Sequence, residues 1–330
     1  MLTSVKPTLL AALFFVSVLS AATAEAQTLK VPYAALSPNY SPLWIAEQGG
    51  YFKKYQLDVQ PIYITSGSVV LPALLSGQVE IANLSAGPAL TAWARGAEIV
   101  TIGVVTNRLL HGIMTGPNIT KPEELKGKKI GSDRIGSLSD QALREALRLL
   151  NLMPDRDVTI IQSGGLPERL GAMTSGLVDG AILTGDTAFQ AEKLGFHALI
   201  KLSQLPIRSP NGAIIVTKAY LQSKRDVVKR FMKGWIEGIK TAKTDRSFTT
   251  KVFRTYLKTQ DEEILNKTFD LYKDTLERNP SPDPNTIGFA LKQLSATLPQ
   301  ANKLMPENFI DGSIVAELEA EGFIKKLYEK

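Results

Sequence analysis

One ten-residue stretch occurs twice in this chain. Ser76-Gly77-Gln78-Val79-Glu80-Ile81-Ala82-Asn83-Leu84-Ser85 returns 99 residues later as Ser175-Gly176-Leu177-Val178-Asp179-Gly180-Ala181-Ile182-Leu183-Thr184, and the shared pattern is Ser-Gly-x-Val-acid-x-Ala-x-Leu-hydroxyl. Just upstream, Ser66-Gly67 is answered by Ser163-Gly164 at an offset of 97. A period this long is too large for a solenoid unit, so it predicts two lobes built from similar α/β units. In each copy the glycine suits the position that ends a helix. The acid then starts a strand, and the hydroxyl caps the helix that follows. Each copy thus delivers Ser85 or Thr184 to the C-terminal end of a parallel strand, which is where ligands sit in open α/β sheets.

The rest of the chain agrees with an α/β class. Short β-rich runs at 29–33, 57–64, 79–84 and 99–105 alternate with helical stretches at 42–55, 69–76 and 87–95. A second series has strands at 129–131, 158–162, 178–183 and 198–202, with helices at 138–150, 167–175 and 187–194. Such alternation predicts mainly parallel sheets flanked by helices. The helix at 138–150 is the clearest element, because Leu138, Ala142, Ala146 and Leu149 repeat at helical spacing and Ser137 with Asp140 makes a capping-box-like start. Beyond Lys218 the chain turns mainly helical, at 224–243, 247–257, 262–276, 286–297 and 315–327, with a rigid turn at Asn279-Pro280-Ser281-Pro282-Asp283-Pro284. His111-Gly112-Ile113-Met114-Thr115 and Asn211-Gly212-Ala213-Ile214-Ile215-Val216 bracket the second series. They are expected to be hinge crossings near 112–116 and 210–214, giving a discontinuous first lobe (27–112 and 213–330) and a second lobe (113–212).

The first residues predict export. Lys6 precedes the apolar run from Leu9 to Leu19, and small residues follow, with Ala24-Glu25-Ala26 as the expected cleavage site before Gln27 and Ala22-Thr23-Ala24 as a second candidate. Residues 1–26 are therefore read as a signal peptide and the mature protein as periplasmic. The apolar run falls short of the roughly 20 residues that span a bilayer. No cysteine occurs anywhere in the 330 residues, which removes disulfides, thiolate catalysis, cysteine metal sites and a lipid-anchored N-terminus.

The net charge of +6 is modest for this length. Its densest cationic stretch, Lys224 to Lys243, also carries Asp226 and Glu237 and reads as the solvated side of an amphipathic helix, so no nucleic-acid partner is expected. The two histidines, His111 and His197, lie in neither a nucleophile-elbow nor a metal-ligand pattern and read as strand-end residues. Gly49-Gly50 and Gly164-Gly165 match neither a P-loop nor a dinucleotide fingerprint. The expectation is no catalysis, no metal and no cofactor.

Polar, small-residue turns at helix N-termini are the chemistry that remains. Ser37-Pro38-Asn39-Tyr40-Ser41, Ser66-Gly67-Ser68, Ser85-Ala86, the stretch with Asp133, Arg134, Ser137, Leu138 and Ser139, and Gly185-Asp186-Thr187 each pair hydroxyls or charges with free backbone N–H groups. Helix ends of this kind favour an anionic group by about 0.3 to 1 kcal/mol each. The expected ligand is a small organic anion or zwitterion. Asp133 or Asp186 would take an ammonium group, Arg134 would add a cationic contact, and Tyr40 or Trp44 would stack on a ring, which keeps a pyrimidine or aromatic acid open.

The chain also resembles a known family. Pro42-Leu43-Trp44-Ile45-Ala46-Glu47-Gln48-Gly49-Gly50-Tyr51-Phe52, Leu75-Ser76-Gly77-Gln78-Val79-Glu80-Ile81-Ala82 and Leu125-Lys126-Gly127-Lys128-Lys129-Ile130-Gly131 are similar to blocks of the periplasmic binding proteins related to alkanesulfonate, taurine, nitrate and thiamine-pyrimidine carriers. The resemblance implies a two-lobe type II periplasmic binding fold (Venus flytrap) and ligand capture in the interlobe cleft. It also implies docking to an ABC permease in the inner membrane, and a monomer is expected. A sensory module on the same fold and a pyrimidine-forming enzyme are the alternatives. Members with the pyrimidine-synthase activity use cysteine and histidine, and this chain has no cysteine.

Overall fold

Twelve strands assemble into two five-stranded sheets and one two-stranded ribbon in a computed structural model that describes residues 27–329. The expected signal segment lies outside the described residues. The strands are β1 (Gln27–Tyr33), β2 (Leu57–Tyr63), β3 (Ile81–Leu84), β4 (Ile99–Gly103), β5 (Thr106–Arg108), β6 (His111–Thr115), β7 (Lys129–Ser132), β8 (Thr159–Gln162), β9 (Gly180–Thr184), β10 (His197–Lys201), β11 (Arg208–Asn211) and β12 (Ala213–Thr217). The helices are α1 (Ser41–Gln48), α2 (Tyr51–Lys54), α3 (Gly67–Leu75), α4 (Ala86–Trp93), α5 (Leu138–Leu149), α6 (Leu166–Thr174), α7 (Asp186–Lys193), α8 (Lys218–Ser223), α9 (Arg225–Thr244), α10 (Arg246–Leu257), α11 (Glu262–Thr275), α12 (Pro284–Leu294), α13 (Ser313–Ala320) and α14 (Phe323–Tyr328).

The first sheet runs β2-β1-β3-β12-β4 and the second β10-β6-β9-β7-β8. β1 pairs parallel with β2 and β3, and β7 pairs parallel with β8 and β9. Two strands break the parallel pattern: β12 lies antiparallel between β3 and β4, and β6 lies antiparallel between β9 and β10. Both follow directly from the ribbon, because a strand that has just crossed between lobes enters the new sheet from its ligand-side edge. The crossings themselves are β5 and β11, paired antiparallel. The sequence had placed the first crossing at 112–116, but the strand there, β6, belongs wholly to the second sheet.

The duplicated stretch adopts one conformation twice. Ser76 and Ser175 end α3 and α6 with φ of −81° and −82°. Gly77 and Gly176 follow in the left-handed region at +74° and +73°, which costs glycine no Cβ clash. The chain then enters β3 or β9, fully buried strands inside their sheets.

Helical period explains the first lobe's packing. Val228, Phe231, Trp235, Ile239 and Ala242 repeat on one side of α9 and are buried against α1 and α2, with Phe52 and Phe231 stacked at 5.0 Å. The opposite side carries cations paired with carboxylates, such as Lys229 with Glu317 and Glu321 at 2.6 Å each. Gly238 lets the two helices meet: a Cβ there would stand 2.1 Å from the Pro42 carbonyl oxygen. Expected single helices at 42–55 and 315–327 are each broken at a glycine with positive φ, Gly50 and Gly322. In the second lobe two apolar clusters lie apart, one around Ile113, Leu143 and Leu147, the other around Met114, Leu166 and Leu170. Neighbouring β6 residues Ile113 and Met114 point to opposite faces of the sheet, so the clusters occupy its two sides.

Candidate functional site

Six helix starts converge where the two lobes face each other. Ser37 precedes a 3-10 turn at Pro38–Tyr40, Ser66 precedes α3 and Ser85 precedes α4. From the second lobe, Ser137 precedes α5, Gly165 precedes α6 and Gly185 precedes α7. Ser137 spends its hydroxyl on its own helix, accepting from the Asp140 amide at 3.2 Å. Ser37, Ser66 and Ser85 make no side-chain cap. Ser37 accepts from Asn39 Nδ2 at 3.3 Å, and Ser66 contacts Ser68 and Asp133, which leaves the Ser85 hydroxyl open to a ligand.

A cavity lies between these turns, with about 40 Å³ open to the centre of a water-sized sphere. Ser37, Asn39, Tyr40, Gly67 and Ser85 line it from the first lobe, and Asp133, Ser137, Leu138 and Ser139 from the second. Residues not expected from sequence also line it: Ala34, Ala35, His111, Leu166, Arg169, Thr184 and the hinge residue Asn211. The lobes touch around it. The Gln141 amide of α5 donates to Thr91 of α4 at 3.4 Å, and Lys193 of α7 meets Asp261 and Glu263 at the start of α11 at 2.6 and 2.8 Å. So small a cavity, with the lobes in contact around it, is a closed arrangement.

Arg169 dominates the electrostatics. Its side chain is 2% exposed, and it donates through Nε to the Gly165 carbonyl at 3.2 Å and through Nη1 to the Ile182 carbonyl at 2.6 Å. Burial pulls its pKa down to about 10, against the carboxylate of Asp133, so it stays charged at neutral pH. Burial first and Arg169 second push His111 down to about 3, so the imidazole is neutral and its Nδ1 has no hydrogen-bond partner. Asp133 is buried, faces the Ser66 hydroxyl, and has its pKa raised by desolvation. Tyr40, beside the Ser85 amide, is held as the neutral phenol by burial. The site therefore offers one buried cation, one buried carboxylate and a ring of neutral donors and acceptors. Asn39 Oδ1 is an unpartnered buried acceptor among them.

Other expected contacts lie away from the cavity. Trp44 is 0% exposed and stacks on Tyr256 at 4.6 Å and 6°, so its ring face belongs to the core and is not open to a ligand. Ser41 and Ala86 are buried within their helices. Ser66 and Ser68 share a hydroxyl contact at 2.9 Å beside the cavity lining. Arg134 is exposed, and its amide donates to Asp133 Oδ1 at 2.7 Å. The buried cation is Arg169 instead. Gly185 takes φ of +59° to start α7, and Thr187 donates its hydroxyl to the Thr184 carbonyl at 2.7 Å. Asp186 is 2% exposed with no cation paired to it among the described residues, and desolvation pushes it up to about 7.

Arg169 was reachable from sequence. The duplication equates the turn Ser66-Gly67 before α3 with Ser163-Gly164 before α6, so the first turn of α6 belonged at the cleft as α3's does. His111 ends up there because β6 enters the second sheet at its ligand-side edge.

Two sheets joined by a paired ribbon, with helix N-termini lining the cleft, define a two-lobe periplasmic-binding fold of type II. The nitrate-binding protein NrtA from Synechocystis superposes with a TM-score of 0.74 at 14% identity, covering 90% of this chain and 89% of that one. The alkanesulfonate-binding protein SsuA from Xanthomonas axonopodis, solved with MOPS, gives 0.72 at 18% identity, covering 87% and 99%. Residues 37–246 match the family described as NMT1/THI5 like, and the chain belongs to that family. YtlA of Bacillus subtilis, whose name describes a binding protein, is 23% identical over 322 residues, covering 92% of this chain and 94% of YtlA. The 4-amino-5-hydroxymethyl-2-methylpyrimidine phosphate synthase of Schizosaccharomyces pombe is 28% identical, but over 44% of this chain and 41% of its own length.

Proposed function

We propose that the protein is the extracytoplasmic solute-binding component of an ABC uptake transporter, holding a small organic anion or zwitterion between its lobes and delivering it, as a monomer, to a permease in the inner membrane. The observation that carries this reading is the buried charge of Arg169 from the second lobe in the same cavity as the Ser37 and Ser85 helix starts of the first, a cavity that exists only when the lobes meet. The anionic group would lie against Arg169 and the α3, α4 and α5 starts, and an ammonium group would lie against Asp133. Ligand contacts complete only in the closed form supply the differential affinity that shifts a hinge equilibrium. Moving it from 1:99 to 99:1 needs about 5.5 kcal/mol, which several charge-assisted hydrogen bonds of about 1.5 to 3 kcal/mol supply. Relatives whose names describe binding proteins, one over 92% of this chain and another over 68%, support this reading over an enzymatic one.

A thermal-shift panel of sulfonates, carboxylates, amino acids and neutral bases tests it. A true ligand stabilises by about 2.7 kcal/mol at a hundredfold excess over Kd and shrinks the radius of gyration in solution scattering. Stabilisation by neutral bases alone would refute the anionic assignment, and an unchanged radius at saturation would refute closure.

A further inference from the structure

We propose that the groove bounded by α4, α5, β11 and α12, which adjoins the cleft cavity at Leu138, is a second ligand site for a short-chain amphipathic carboxylate. The groove holds about 250 Å³ open to the centre of a water-sized sphere, several times the cleft's 40 Å³. Leu90, Leu109, Ile207 and Leu294 form its apolar wall, and Ile135 stands on its lip 64% exposed. At that position Ile135 would extend the apolar contact of a tail lying in the groove.

The charge balance names the polar end of the occupant. Arg208 lines the groove, and in the ribbon it is paired directly opposite Arg108. Directly opposite residues of an antiparallel pair share a face, and like charges so placed repel. Among the described residues no carboxylate pairs with either guanidinium. The groove's own carboxylates are already spent: Asp140 accepts from Arg144 Nε at 2.8 Å, and Glu145 accepts from Arg148 at 3.2 Å. An anion on the ribbon would relieve the repulsion between the two arginines, and a carboxylate suits a guanidinium's fork of donors. A tail of several carbons fits a groove of this size.

The test uses methyl-labelled full-length mature protein, with octanoate as probe and octanol as its uncharged control. Octanoate is expected to move the Ile135, Ile207 and Leu294 methyls saturably and to bind about tenfold or more tighter than octanol, equivalent to about 1.4 kcal/mol. The double variant Arg108→Gln/Arg208→Gln, which removes exposed and mutually repelling charges and so should fold, is expected to lose that advantage. Shifts confined to Leu166, which lines only the cleft, would overturn the proposal. So would equal binding of octanol, undiminished binding by the double variant, or no shift up to about 10 mM octanoate. Because these methyls report the groove and Leu166 reports the cleft, failure here is distinguishable from failure of the transport reading.

Discussion

Asp186→Asn should stabilise the protein at alkaline pH. The carboxyl is 2% exposed at the first residue of α7, and its one side-chain hydrogen bond comes from Gln190 at 3.3 Å. Burial raises its pKa from the ordinary 3.8 to about 7, with the Asp186 and Thr187 amides pulling the other way. A folded-state pKa above the unfolded one means that the native protein holds a proton the unfolded chain has released. The stability this proton represents is fully present below about pH 4 and is lost as pH rises through about 7. A rise of about three pH units at 1.36 kcal/mol each costs about 4 kcal/mol above pH 7. Asparagine has the same shape and no charge to desolvate, so the variant escapes that cost. Urea unfolding followed by tryptophan fluorescence from pH 5 to 8.5 is the assay. The wild-type protein should lose stability across that range relative to the variant, which at pH 8 should be the more stable by up to about 4 kcal/mol. Parallel pH profiles, or a variant less stable at pH 8, would show that the helix start holds Asp186 ionised and would refute the reasoning.

Gly238→Ala should destabilise by about 1 to 3 kcal/mol through overpacking against the Pro42 carbonyl. At an unconstrained helix position the same change gains stability, so a raised urea midpoint would contradict the close approach of α1 and α9. Gly212→Ala should weaken ligand affinity and lower the melting temperature together. Gly212 has φ of +60°, and a Cβ there would come within 2.4 Å of the Asn39 carbonyl oxygen, joining the hinge to the cleft wall. Unchanged affinity in a calorimetric titration would argue against that link. Lys193→Ala removes the ion pairs from α7 to Asp261 and Glu263 across the mouth. Ligand should leave the variant faster in stopped-flow release, and the wild-type rate should approach the variant's as salt screens these exposed pairs; a salt-independent wild-type rate would count against the contact.

The two-lobe α/β plan was legible because local patterns carried it. Ser-Gly turns, buried strands and hydroxyl-bearing strand ends recur in order, and α5 shows its period and its cap in the letters alone. Strand direction was not legible, since the apolar run of β12 reads the same whether its neighbours run with it or against it. Only the crossing at β11 fixes its sense. Trp44 misled because an aromatic next to a polar turn looks like a stacking platform. The inward face of α1 and the ring of Tyr256 decide its role, and both depend on segments some two hundred residues apart. Arg169 hid for another reason: its partners Gly165 and Ile182 offer backbone carbonyls, which leave no trace in sequence, so the duplication that aligns α6 with α3 was its one signal. Asp133, Ser85 and Ser139 were visible because each sits at a strand end or helix start that the local pattern itself announces.

The antiparallel strand inside the first sheet governs the order in which the chain can fold. β12 fills the slot between β3 and β4, yet it follows β3 by nearly the whole second lobe. Until it arrives, the inner edges of β3 and β4 stay open and the first sheet is two unjoined pieces. The second sheet has no such debt, since β6 to β10 are contiguous in the chain. Non-local pairing is slow because loop closure precedes any reward from contacts. The second lobe is thus the natural early folding unit, and by bringing β5 and β11 together it carries β12 to its slot. Amide protection during refolding should accordingly build in β7 and β9 before it builds in β3 and β4.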